Sequence, residues 1–299
     1  MRPNRCSDPA RRPGNRLAGA GAAGARHWLA RAAAAAGVLA GLGAAAPARA
    51  HDTWLAWRAG AAPGELGLAL GTGHAYPRME SPVPWRGVAE AACRAPGAAP
   101  VPMAVRRQAR DALWLAAPGL PAQGDLSCWA HTRPQPITLA PAQVVAYLDE
   151  VNAPPAVRAA WAAQQAAGQP WREVFSKHAR LERYAGGAGE ATGRAPAGMP
   201  LELVVLGAAP VVGAPITLQA WREGQPAAGL ALQLLNDGAP AGLWVRTDAQ
   251  GQVRVRLPLP GPWLARGTDL APPAASDPPG TPWVSRFVTL AFEPLAAAP

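Results

Sequence analysis

The chain has 299 residues, 35 of them proline and 32 glycine, with only 3 cysteines. That length suffices for two ordinary cores, and the formal charge of +9 suggests nucleic acid until it is mapped. Residues 1–50 hold eight arginines against the single acid Asp8, so residues 51–299 carry 20 basic and 18 acidic groups. No basic patch for phosphate remains there, which excludes nucleic acid as a main partner.

In chain order, residues 1–50 read as a cleaved signal peptide. An arginine-rich start precedes the apolar run from Ala32 to Gly43, and Ala48-Arg49-Ala50 forms a small-x-small cleavage site. The uncharged stretch from Ala32 to Ala48 is 17 residues of mostly Ala and Gly. A spanning helix needs about 20, so no stable membrane span is expected in the mature chain. Export places the protein in the periplasm, an oxidising compartment. Cys6 leaves with the leader, and Cys93 and Cys128 are then expected to pair as a structural disulfide. No CxxC spacing supports the alternative of a thiolate ligand pair.

Residues 51–140 show short apolar runs between Pro and Gly turns. Thr53–Trp57, Glu65–Leu70, Val101–Val105 and Ala112–Leu115 each suit a strand and predict a β-sandwich. Residues 141–198 change character and predict a helical insert and linker. Pro141–Glu150 and Val157–Ala167 have helical spacing, and Pro170–Tyr184 is expected as a third helix opened by proline. Lys177, Arg180 and Arg183 then read as a solvated face, and His178 and Glu182 as an ordinary helix-surface contact. In residues 199–299 the strand pattern returns, at 201–206, 215–221, 230–235, 243–247, 252–257, 263–266 and 287–292. The expected architecture is mainly β. It comprises two immunoglobulin-like or prealbumin-like sandwich domains joined by the small helical insert.

Several short motifs carry a family resemblance. They are His51-Asp52-Thr53-Trp54-Leu55 after the cleavage site, Gly73-His74-Ala75-Tyr76-Pro77, Glu182-Arg183-Tyr184, Thr247–Val253, Pro260–Leu264 and Phe287–Phe292. Together they resemble the domain of unknown function 4198 family, exported bacterial proteins often described as periplasmic components of cobalt or nickel uptake. The resemblance implies divalent metal handling and a membrane metal transporter as partner. Tyr76 stands where the family motif has Phe.

The residues themselves point to the same chemistry. Cleavage after Ala50 gives His51 an α-amine (reference pKa about 7.7–8.0) beside its imidazole, and the two close a chelate on one metal. Such nitrogen ligands suit Ni(II), Co(II) and Cu(II), and Zn(II) as well. His74 is the expected second ligand, Asp52 an acceptor that orients the ring, and His131 a further candidate near the disulfide. Two other readings compete with a metal-binding function. Trp54, Trp57 and Trp85 suit a sugar-stacking platform on an envelope module, although tryptophan also fills sandwich cores. A copper-dependent oxidative enzyme is the third. No Ser-His-Asp order, paired carboxylates, phosphate loop or HExxH supports catalysis, so the chain is not expected to be an enzyme.

Overall fold

The computed structural model describes residues 52–59, 64–120, 123–185 and 194–297. The leader expected over 1–50, its cleavage site, His51 and residues 186–193 of the expected linker lie outside them. In chain order the first strands are β1 (Asp52–Trp57), β2 (Glu65–Gly73), β3 (Ser81–Pro82), β4 (Val88–Arg94), β5 (Val101–Pro102) and β6 (Ala104–Gln108). Then come β7 (Leu113–Pro118), β8 (Leu126–Thr132) and β9 (Gln135–Leu139), followed by helices α1 (Pro141–Glu150) and α2 (Pro155–Ala166). The long strand β10 (Trp171–Arg183) leads to β11 (Leu201–Leu206), β12 (Pro215–Arg222), β13 (Gln225–Pro226) and β14 (Ala231–Asn236). The last strands are β15 (Ala239–Arg246), β16 (Gln252–Arg256), β17 (Trp263–Ala271) and β18 (Trp283–Phe292).

These strands form three sheets. The central one has nine strands in the order β15-β14-β17-β18-β10-β8-β4-β5, with β9 also paired to β10. It draws strands from all three stretches marked out in the sequence. Its β10–β18 pair is parallel; its other pairs are antiparallel. On one face lies the five-stranded sheet β1-β2-β7-β6 with β3. Leu55, Leu68, Leu70, Leu113 and Leu115 of that sheet meet Ala179, Leu181, Leu264 and Ala291 of the central one. The helices share the same face through Val144, Leu148 and Trp161, packed on Trp171, Trp283 and Leu270. Against the opposite face sits the four-stranded sheet of β11, β12, β13 and β16. There Leu201, Leu203, Leu218 and Val255 pack on Leu232, Leu234, Val288 and Leu290. The fold is mainly β and layered in the manner of a sandwich, and its two helices are those expected at 141–150 and 157–167.

The expected third helix is not formed. Residues Trp171–Arg183 are instead strand β10, which is hydrogen-bonded to β18 on one side and to β8 and β9 on the other. Three of its charged residues, Glu173, Arg180 and Glu182, are buried. A sequence this polar normally marks a solvated face, but here the charges find partners inside the protein, so the strand tolerates burial on both faces. Arg180 and Glu182 are correspondingly no surface residues. Where one strand was expected across Val101–Val105, β5 and β6 are separated by the buried Met103.

Candidate functional site

The Gly-His motif follows β2. Asp52 and Gly73 are register partners at the end of the β1–β2 ladder, and His74 is the next residue out. A Cβ on Gly73 would collide with the Arg78 carbonyl oxygen and the Trp54 ring, so only glycine lets the 74–80 loop fold back here. The loop closes through Arg78 N–H to the Ala75 carbonyl (2.9 Å) and Glu80 N–H to the Thr72 carbonyl (2.8 Å). That fold brings His74 Nδ1 to 2.6 Å from Glu80 Oε2. An ionised carboxylate only accepts, so Nδ1 donates and the ring's lone pair resides on Nε2. The same hydrogen bond holds the Glu80 carboxyl below its usual range. A metal-binding imidazole commonly has this arrangement, with its other nitrogen donating to a carboxylate.

Asp52 is ion-paired with Arg266 of β17, whose guanidinium also donates to Gln233 Oε1 at 2.9 and 2.7 Å. The strand that starts at Asp52 is thus tied to the central sheet, and Thr289 Oγ1 reinforces the tie by donating to the Thr53 carbonyl at 2.6 Å. Near this junction the Lys177 ammonium lies 5.9 and 5.8 Å from the ring centres of Phe175 and Phe287. Burial pushes the Lys177 amine down to about 8, opposed by the Asp52 carboxylate.

His131 stands elsewhere, on β8. Its register partners are Glu90 of β4 and His178 of β10. Its ring lies nearly parallel to that of His178, with centres 5.9 Å apart. His178 is fully enclosed, and burial pushes its imidazole down to about 4, so it is neutral at physiological pH. The spacing of His178 and Glu182 suits a helix surface, but His178 lies buried on a strand, a fact of tertiary structure. Among the described residues, no three His, Cys, Asp or Glu side chains gather where one metal ion could be held.

Cys93 and Cys128 are register partners on β4 and β8 and form a disulfide. Trp54 is 1% exposed, which removes it from a sugar platform, whereas Trp57 and Trp85 are partly exposed at 36% and 41%. Trp54 packs edge-on against Tyr76 and belongs to the core beneath the Gly-His loop. Arg180 donates to Glu182 at 2.7 Å, to Glu202 of β11, and to Ser127 Oγ at 3.1 Å, with all three partners buried. Glu202 also accepts from the backbone N–H groups of Ala197 and Gly198. This network anchors the connection into β11. A second buried acid, Glu173, accepts from Trp171 Nε1 (2.8 Å), Tyr147 (3.3 Å) and Ser285. Burial raises its carboxyl above the usual range, against the pull of those donors.

No helix among the described residues is long and apolar enough to cross a membrane. No curated protein matches the chain. Residues 137–268, from β9 to β17, match the family model described as a domain of unknown function (DUF4198). The match spans β10, the buried Arg180, Glu182 and Glu202, and the whole four-stranded sheet, and it excludes the Gly-His loop. The family matched over residues 137–268 is the one that the sequence motifs resemble.

Proposed function

We propose that the protein is an exported carrier that holds one divalent transition-metal ion, Ni(II), Co(II) or Cu(II), and passes it to a membrane transporter. The reading is carried by the 2.6 Å hydrogen bond from His74 to Glu80, which commits the His74 lone pair to Nε2. His51 is bonded to Asp52, and His74 to Gly73, the register partner of Asp52. Cleavage behind Ala50 then supplies the α-amine and imidazole of His51 as a chelate, with His74 Nε2 as the third nitrogen. Three nitrogens of this kind favour Cu(II) over Ni(II) and Co(II) in raw affinity. Asp52, engaged by Arg266, positions the strand and is not a ligand in this reading.

The test combines intact mass with thermal melting. The protein recovered from the export compartment should begin at His51, and added Cu(II) or Ni(II) should raise its Tm until chelator is supplied. The His51→Ala and His74→Ala variants should each lose that rise while melting normally without metal. A different first residue, or a metal-induced rise that survives both substitutions, would overturn the reading.

A further inference from the structure

Three side chains stand in one row across the central sheet: Glu90 on β4, His131 on β8 and His178 on β10. Register partners on neighbouring strands present side chains on one face, about 4.5–5.5 Å apart at Cβ. The innermost member is the unusual one. His178 Nδ1 lies 3.1 Å from the Phe287 carbonyl, an acceptor only, so Nδ1 carries the proton and Nε2 the lone pair. That Nε2 is buried and has no hydrogen-bond partner among the described residues. An enclosed, oriented acceptor with nothing to accept calls for an explanation. The outermost member is also oriented: Glu90 Oε1 accepts from Trp129 Nε1 at 2.8 Å, while Oε2 lies 3.6 Å from His131 Nε2.

We infer that Glu90, His131 and His178 form a metal site separate from the His74 loop, one that takes a borderline divalent ion such as Zn(II). The spacing supports it. Tetrahedral bonds of about 2.0–2.1 Å put neighbouring N and O ligands about 3.4 Å apart, close to the 3.6 Å between Glu90 and His131. Two imidazoles on one such ion have ring centres roughly 5–6 Å apart, which brackets the observed 5.9 Å. As placed, the three side chains do not meet at one point. His178 is the fixed donor, and binding requires the partly exposed His131 and Glu90 side chains (20% and 54%) to turn toward it. Those two also provide the entry path. The Phe287 carbonyl and the Trp129 indole are the outer partners that orient the ligands, as metal sites require. Arg286, whose charge acts on His178, is engaged by Glu223 and Asp269.

The experiment is equilibrium dialysis of the full chain against Zn(II), with Co(II) absorption as a check on geometry. It is carried out on the His74→Ala variant, which removes the loop imidazole. One equivalent of Zn(II) should remain bound, and Co(II) should give the intense visible bands of a tetrahedral site. Adding His131→Gln, or Glu90→Gln, should weaken Zn(II) at least tenfold and abolish the bands. Both positions are partly exposed, so these variants should fold even if His178→Ala does not. Loss of all binding in His74→Ala alone would overturn the inference. Zn(II) affinity unchanged by both added substitutions would do the same.

Discussion

Two carboxylate partnerships illustrate how strongly location sets the worth of the same chemistry. His74 and Glu80 meet on an open loop, with side chains 33% and 32% exposed. Arg180, Glu182 and Glu202 meet between the central and four-stranded sheets, with side chains at most 1% exposed. Water competes for the first pair and screens it, so it adds little to stability and remains able to exchange partners. The second group is shielded from bulk water, so each charge there relies on its partners inside the protein. The loop is suited to binding and the network to holding β11 against β10.

The largest expected effect comes from breaking the buried group. Arg180→Ala removes the guanidinium that bridges the buried Glu182 and Glu202 and should cost about 3–5 kcal/mol in urea unfolding. Adding Glu182→Gln and Glu202→Gln should recover part of that loss; no recovery would show that packing, not charge, is what Arg180 supplies. Next in size is the Cys93–Cys128 bridge, which closes a loop of sequence separation 35. On the chain-entropy account its removal by the double Ser substitution should cost roughly 3–4 kcal/mol, read from the unfolding midpoint under oxidising conditions.

A pH series probes the other buried acid. The folded Glu173 carboxyl is raised above its unfolded value near 4.5, so the folded state holds the extra proton between the two. Stability from this group is therefore full below pH 4.5 and declines as pH rises through the folded pKa. Wild type should lose stability over that interval relative to Glu173→Gln, and parallel curves for the two proteins would contradict the assignment. The smallest effect is expected at the open pair. Glu80→Gln should leave the unfolding midpoint nearly unchanged, yet weaken the proposed metal binding at His74 by replacing the carboxylate that orients the ring with a neutral amide. A stability loss as large as that of Arg180→Ala would erase the contrast between the two regions.

Local pattern was enough for much of this. The alternation in Gln252–Arg256 and the apolar runs at 201–206 and 215–221 appear as β16, β11 and β12. Proline-opened helices appear at Pro141–Glu150 and Pro155–Ala166. β10 escaped because Trp171–Arg183 contains charges at spacings that suit a helix as well as a strand, and its neutralising partners are distant in sequence. Glu202 lies 22 residues from Arg180, and Ser285 lies 112 from Glu173. β4 and β8, which carry the disulfide and the Glu90–His131 pair, lack the long apolar run that marks a strand. The Gly-His motif was visible as a candidate, but Glu80 was not, because a loop fold and not a spacing rule brings it to His74.

Composition and pattern by themselves determined a mainly β chain, the first two of its three expected helices, a cysteine pair suited to a bridge, and a body without a phosphate-binding charge. These follow from backbone preference and the alternation of apolar residues, which act over a few neighbours. Only the tertiary structure decided that β10 is a central strand, that Arg180 is buried among carboxylates, and that His131 and His178 share a row. Those outcomes depend on pairing between segments tens to hundreds of residues apart, where burial in a low-dielectric interior changes what a charge or an imidazole can do.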